Sequence, residues 1–192
     1  MSELFKYDTE EVVTNGRTSS TSRPDIFDLV SETHPILKQV LPEFDFKNPP
    51  VNPNQFASSL VETCKYHHGI GLSANQCGFP YRVFVMGAED SYVAFFNPSI
   101  VLKSKNEVHM QEGCLSFPFL GLRITRPEEI AVTYQDFNGE WKQSTFSGIS
   151  ARCFQHELDH MNGIVYTDKV KPLALEQGMK KRNKILKKLK LK

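Results

Sequence analysis

No stretch of this 192-residue chain approaches the roughly 18 consecutive apolar residues that a membrane helix needs, so a helical span is excluded by composition. Charge of one sign is also lacking. The net charge is +1, so no global field draws the chain to nucleic acid or to a lipid surface. The opening "MSELFKYDTEE" lacks an apolar core and is acidic, unlike a signal or transit peptide. The chain as given therefore reads as cytoplasmic. No internal repeat is found, which excludes a solenoid. Cysteines are few: Cys64, Cys77, Cys114 and Cys153. In a reducing compartment they are expected as thiols, and the plainest role for any one of them is a small buried side chain.

What is present suits one globular domain with a single core: 40% of residues are hydrophobic. The charge that exists is unevenly spread. Residues 180–192 hold eight of the 23 basic residues and no acid, which leaves 15 basic against 22 acidic in a body of net charge −7. Residues 14–25, "TNGRTSSTSRPD", read as a loop or arm, and "KNPPVNP" over 47–53 as a break. The spacing of Phe56, Leu60 and Cys64 predicts a helix over 54–68. "RVFVM", "YVAFF" and "SIVLKS" predict short strands over 82–103. Residues 129–147 read as a hairpin turned at Asn138-Gly139. A helix is expected from about Ser150, as N-cap, to Met161, with Asn162-Gly163 as its stop. A last helix runs from about Leu173. Helices and strands mix without βαβ alternation, so the expected class is α+β. Three parts are expected: an arm over 1–33, a catalytic unit over 34–170 and a basic tail over 171–192.

The stretch "RCFQHELDHMNG" carries the chemistry. His156 and His160 are four apart and share one helical face, with Glu157 close to it. This is H-E-x-x-H, in which two imidazoles bind a divalent metal and the Glu is a general base. The plain alternative is a helix with two surface histidines beside acids. A catalytic site needs a third protein ligand and an open position. The metzincin extension would place a His where Tyr166 stands, and the thermolysin-type downstream Glu would be Glu176, which opens the basic tail. Cys153 lies on the histidine stripe, but seven residues from His160 it is about 10 Å away along the axis. The third ligand must come from another segment. Cys114 in "EGCLSFP" follows Gly113, whose missing side chain allows close approach, and its thiolate is a soft ligand for iron, zinc or nickel. Spacing alone does not rank it above Cys64 or Cys77.

"GIGLSANQ", Gly69 to Gln76, contains G-x-G-x-x-A with Glu89 and Asp90 about 20 residues on, as in dinucleotide-binding turns. The order of elements argues otherwise. A helix precedes the glycines, and Gly78 and Pro80 block the helix that should follow. The other readings are a plain turn, or a glycine loop whose backbone lies against an extended substrate, with Gln76 as a side-chain donor.

In that order, "GIGLSANQ", "EGCLSFP" and "QHELDHMNG" resemble the three signature motifs of the peptide deformylases, which remove the formyl group from N-formylmethionine of nascent chains. The resemblance runs from "HPILKQV" at His34 through Tyr166. "SFP" after Cys114 and "TRPEEI" at 125–130 are similar to the branch with plant organellar and phage-encoded members. It implies sheets wrapped around the helix that bears the two histidines. It implies Cys114, His156 and His160 as metal ligands, with Fe(II) usual and Zn, Ni or Co frequent after preparation. It implies Glu157 as general acid/base, and Gln76 with the backbone N–H of Leu115 as oxyanion donors. Gly69, Ile70, Gly71 and Gly113 would pair with the substrate chain. Many members have Ala where Ser73 stands. Asn75 departs from the usual residue at what reads as a loop position, so little consequence is expected there. A monomer is expected, and the Lys180–Lys192 tail suits contact with ribosomal RNA, a lipid surface being the lesser option. The rivals are a zinc metallopeptidase of H-E-x-x-H type, which lacks its third ligand, and a structural metal site in a binding module, which would need a fourth Cys or His.

Overall fold

A computed structural model describes residues 24–89 and 91–190, so most of the arm expected over 14–25 lies outside the described residues. Three α-helices and seven strands follow in the order α1 (Pro53–Tyr66), β1 (Gly71–Ser73), β2 (Val83–Ala88), β3 (Ser91–Lys103), β4 (Glu107–Cys114), β5 (Phe117–Pro127), β6 (Glu129–Gln135), β7 (Trp141–Ser147), α2 (Gly148–Met161) and α3 (Pro172–Lys190). Short 3-10 turns occupy Pro35–Lys38, Ala74–Cys77 and Tyr166–Lys169. All strand pairs are antiparallel. One sheet has the order β1-β2-β3-β6-β7, and β4 and β5 form a second. This is the expected α+β class.

The first sheet is covered on both faces, which explains the unbroken apolar run of β2. Successive side chains of a strand point to opposite faces. Val83 and Val85 accordingly join Phe56, Leu60 and Leu72 on the α1 side, while Phe84 and Met86 join Phe95, Phe146 and Phe154 on the α2 side. The second core is aromatic, with Phe154 edge-on to Phe84 and Phe95 at 5.0 and 5.3 Å. Strand β5 alternates cleanly instead. Leu120, Leu122 and Ile124 face inward, and Leu175 and Met179 of α3 pack on them.

Several expectations shift. Asn52 caps α1 through its side chain, accepting from the Gln55 N–H at 3.0 Å, so that helix starts at Pro53, one residue earlier than read, and ends at Tyr66. Ser150 does not cap α2. Strand β7 runs to Ser147 and the helix follows with no linker. "YVAFF" and "SIVLKS" are one strand, not two. Pro98 sits at a bulge where the missing donor is tolerated, and the Asn97 side chain bonds both backbone groups of Phe44. Strands β4 and β5 were not anticipated.

Helix α2 is the axis of the molecule, buried along nearly its whole length. Its stop is a Schellman turn: the Ile164 N–H reaches the Asp159 carbonyl at 3.0 Å and the Gly163 N–H reaches that of His160 at 3.3 Å. Gly163 has φ +68°, and a Cβ there would lie 2.6 Å from the Lys38 carbonyl oxygen. Gly163→Ala should therefore cost about 2–3 kcal/mol, from backbone strain plus a clash with main chain that cannot move aside. Urea denaturation of the two proteins measures it, and an unchanged midpoint would refute this account of the turn.

Candidate metal centre and cleft

Helix α2 exposes almost none of its polar residues, so each needs a partner inside the protein. Glu112, near the end of β4, supplies several. Arg126 of β5 holds it with two bonds, Nε to Oε1 at 2.6 Å and Nη2 to Oε2 at 2.9 Å. Arg152 of α2 donates to Oε1 at 2.5 Å, and His156 Nδ1 lies 3.0 Å from Oε2. The third Arg126 nitrogen reaches Asp159 Oδ2 at 2.7 Å, and Lys169 reaches that same oxygen at 3.1 Å. Burial would raise the Glu112 carboxyl, but the bonds and charges of Arg126 and His156 outweigh it and hold the group at about 2. Glu112 is thus an anion that accepts the His156 Nδ1 proton, which leaves Nε2 of that ring as the atom available to a metal.

Cys114 closes β4 at a tight turn, paired with Phe117 across Leu115 and Ser116. That turn swings its thiol toward α2. The Sγ lies 3.4 Å from His160 Nε2, and the histidine rings stand edge to face at 5.2 Å. One donor atom from each of Cys114, His156 and His160 falls within 4.8 Å of the other two. The ligand type fits a divalent ion: one soft thiolate with two imidazoles. Among the described residues no other group of three His, Cys, Asp or Glu side chains comes this close. Cys64 and Cys153 are buried and Cys77 half-buried, outside the cluster, and burial raises all three thiols above their ordinary range. Glu176 is exposed and paired with Lys180 on α3 at 2.6 Å. Tyr166 is buried, and its hydroxyl donates to the Leu120 carbonyl at 2.7 Å, so it does not stand in for the missing peptidase ligand.

Glu157 is buried beside this cluster, and burial raises its carboxyl above the ordinary value despite the opposing His156 charge and Ser73 hydroxyl. Burial likewise drives His160 well below the usual imidazole range. His156 departs the other way. Burial opposes its charge, but the Cys114 sulfur and the Glu112 carboxylate raise it to about 10.

The glycine segment forms one wall. It enters the three-residue β1 and the 3-10 turn Ala74–Cys77, not the long helix a dinucleotide site requires. Gly71 is essential to the packing: a Cβ there would lie 2.5 Å from Glu157 Oε1 and 2.7 Å from the Cys153 sulfur. The Gln76 carboxamide is oriented at both ends. Its Oε1 accepts from the Ser73 N–H at 2.9 Å, and its Nε2 donates to Ser116 Oγ at 3.1 Å and lies 3.4 Å from the Cys114 sulfur. Asn75 is not the inconsequential loop residue its position suggests. It is fully buried, and its amide donates to the His160 carbonyl at 3.0 Å. Gly113 has nothing within 4 Å of where a Cβ would stand. Its role is therefore open backbone rather than an unusual dihedral, since its φ is not positive. Gly69, Ile70 and Gly71 on one side and Gly113 with Leu115 on the other line a cleft of about 850 Å³, with His156 and Glu157 at its floor.

Sequence reasoning assigned nothing to Glu112, Arg126, Arg152, Asp159 or Leu29, the last a cleft-lining residue from the segment before the first 3-10 turn. A signal for Glu112 existed: a buried ligating histidine needs an acceptor for its second nitrogen, and the only acid inside the cysteine motif is Glu112.

A half-buried thiol and two buried imidazoles beside a buried carboxylate, in a cleft between two edge strands, fit the class of metal-dependent hydrolases. The comparisons narrow that class. Residues 26–176 match the family model of the polypeptide deformylases. A peptide deformylase of Thermotoga neapolitana is 41% identical over 113 residues, 59% of this chain and 69% of that protein. One of Wolbachia pipientis is 37% identical over 144 residues, 68% and 80% of the two chains. The crystal structure of a peptide deformylase from Synechococcus elongatus in complex with actinonin superposes with TM-score 0.77 at 30% identity, over 84% of this chain and 90% of that one. The enzyme from Plasmodium falciparum gives 0.75 at 31% identity, over 85% and 98%. The chain belongs to the peptide deformylase family: it is a metal-dependent hydrolase that removes the formyl group from N-formylmethionine of nascent polypeptides. The metallopeptidase alternative is not favoured.

Replacing Glu112 by Gln keeps the shape of the side chain and removes its charge. Metal affinity should fall about 10–100-fold, because the His156 Nδ1–H then faces a neutral carboxamide in place of an anion. Folding stability should fall by about 3 kcal/mol, because buried Arg152 loses the Glu112 charge beside it and Arg126 is left with Asp159. Competition with a chromophoric chelator, alongside thermal unfolding, reports both. Wild-type affinity in this variant would remove Glu112 from the centre.

Proposed function

We propose that Cys114, His156 and His160 hold one divalent ion and that Glu157, Gln76 and Leu115 carry the deformylation around it. The observation that supports this most directly is the convergence of the three donor atoms within 4.8 Å, beside a buried carboxylate. We take Fe(2+) as the native ion, with Zn(2+), Ni(2+) or Co(2+) as replacements in isolated protein, since a mixed sulfur and imidazole set accommodates all four. The ion would lower the pKa of a bound water from about 15.7 toward 7.

The chain's own groups do the rest. Glu157 accepts a proton from the attacking water and delivers it to the leaving amine, so that water and formyl amide become formate and a free Met terminus. Its raised carboxyl suits that exchange. Gln76 Nε2 and the Leu115 N–H donate to the oxygen of the formyl group as negative charge develops on it. The substrate chain lies extended between the two edges, with the backbones of Gly69, Ile70 and Gly71 on one side and of Gly113 on the other, as an added strand. The catalytic unit spans 34–170, and the protein acts as a monomer in the compartment where formylated chains are made. No helix among the described residues is long and apolar enough to cross a membrane.

Cys114→Ala should abolish metal retention, while alanine at Cys64, Cys77 or Cys153 should spare it. Metal analysis of anaerobically purified protein is the measurement, and a Cys114→Ala protein with one tight ion would sink the ligand set. Glu157→Ala should keep the ion and lose nearly all formate release from formyl-Met-Ala-Ser. Gln76→Ala should lower kcat by roughly 10²–10³-fold.

The same reading extends to α3. Its first half is fixed to the body: Arg182 pairs with Glu32 at 2.5 Å and donates to the Pro118 carbonyl at 2.9 Å. Beyond it, Ile185 and Leu189 are exposed among lysines, which suits a polyanion with apolar contacts such as the ribosome surface. Ending the chain after Asn183 preserves the Arg182 contacts and deletes five lysines. Hydrolysis of a free formyl tripeptide should be unchanged, and co-sedimentation with ribosomes at low salt should weaken. Equal pelleting of both forms would rule the tail out as anchor.

A further inference from the structure

Ser73 touches two of the groups assigned above. It is fully buried on β1, between the sheet and α2. Its hydroxyl lies 2.7 Å from Glu157 Oε2 and 3.3 Å from the Glu157 carbonyl oxygen. Its backbone N–H donates to Gln76 Oε1 at 2.9 Å. A carboxylate is an acceptor at both oxygens, so a hydroxyl at 2.7 Å donates its one hydrogen to it, in the short range of charge-assisted bonds. The two oxygens of Glu157 thereby become unequal. Oε2 is tied to Ser73. Oε1 is the oxygen that lies against Gly71, where a Cβ would stand 2.5 Å from it, and Gly71 and Glu157 both line the cleft.

We propose that Ser73 is a positioning residue for deformylation: its hydroxyl anchors Glu157 Oε2, so that Oε1 alone carries the proton between water and leaving amine. The inference rests on the acid/base assignment of Glu157 made above. Its physical content is orientational. A glutamate has three side-chain torsions, and a general base works only within hydrogen-bond reach of the proton it takes. Glu157 follows a metal-ligating histidine directly, so its backbone is fixed by the helix, but its carboxylate would still turn. The Ser73 bond stops that rotation. The same residue's main chain holds the Gln76 oxygen, so that the Gln76 nitrogen faces the cleft side, toward Cys114 and Ser116. One short strand therefore sets the proton carrier and the oxyanion donor relative to each other, and a difference of one hydroxyl separates the two functions experimentally.

The test is a double-mutant cycle on Ser73→Ala and Glu157→Ala in the metal-loaded enzyme, with formyl-Met-Ala-Ser as substrate. Ser73→Ala should lower kcat about tenfold, the lower end for losing one hydrogen bond to a charged group. KM should stay within about twofold and the ion content at one per chain, since neither the peptide edges nor the ligands are touched. In the Glu157→Ala background the further change Ser73→Ala should have no effect on the residual rate, because a residue that acts through another has nothing left to act on. A readout independent of turnover is the crystal structure of Ser73→Ala, in which the Glu157 carboxylate should rotate or occupy two positions. The proposal is overturned if Ser73→Ala keeps wild-type kcat while Glu157→Ala is inactive, if the tenfold loss recurs undiminished without Glu157, or if the carboxylate is unmoved in the variant. Wild-type turnover in Glu157→Ala would instead bring down the acid/base assignment itself.

Discussion

Everything at the centre of this molecule depends on one buried anion. Glu112 accepts from two arginines and a histidine at once, and those partners come from β5 and α2 while Glu112 itself belongs to β4. An isolated carboxylate at this depth would be neutral or displaced. Surrounded by guanidiniums it stays ionised, and the second sheet is thereby tied to the central helix by charge as well as by apolar contact. The same bonds fix the His156 ring and set the end of β4, from which Cys114 projects. Candidate metal ligands from two distant segments meet because one acid holds both segments. Breaking such a network by removing its anion is far more costly than its presence is stabilising, so the network acts as a specification of geometry more than as a source of stability.

The cleft follows from the same arrangement. Two antiparallel sheets approach each other across α2 without joining, and the end of one and the edge of the other are left facing a common space. Gly113 keeps that space open at backbone level, while Gly69 and Gly71 let Leu115, Cys64, Glu157 and Cys153 pack close against the opposite wall. A peptide bound as proposed would meet main chain on either side, which reads its extended form and its terminal group while leaving most side chains unexamined. That is suited to an enzyme whose substrates share only their first residue.

Much of this was legible in the sequence, for a physical reason in each case. The two histidines and Glu157 were visible because a helix converts a spacing of four into a shared face. The hairpin at Asn138-Gly139 was visible because few residues accept its turn. The helix-rise argument removed Cys153, which lies outside the cluster. What stayed hidden depends on contacts between segments far apart in the chain. Arg126 and Glu112 are ordinary charges on strands until the fold brings them together. Asn75 looks like a loop residue because its burial is conferred by α2, 85 positions away. Strand β3 looks like two strands because Pro98 breaks the local pattern, and only its pairing with β6 on both sides of the bulge, Phe96 with Gln135 and Ser99 with Thr133, reveals that the ladder continues. Ser73 reads as an innocuous small residue until Glu157 is placed above it.

The contact between Glu32 and Arg182 joins residues 150 positions apart, and Arg182 also holds the Pro118 carbonyl at the rim of the cleft. Such a pairing closes a very long loop, whose entropic cost must be met before the contact returns anything. By that cost the rim should be among the last parts of the protein to assemble and among the first to open from the folded state. Amide hydrogens around Pro118 should exchange with solvent through local opening events that leave the helix bearing the two histidines closed.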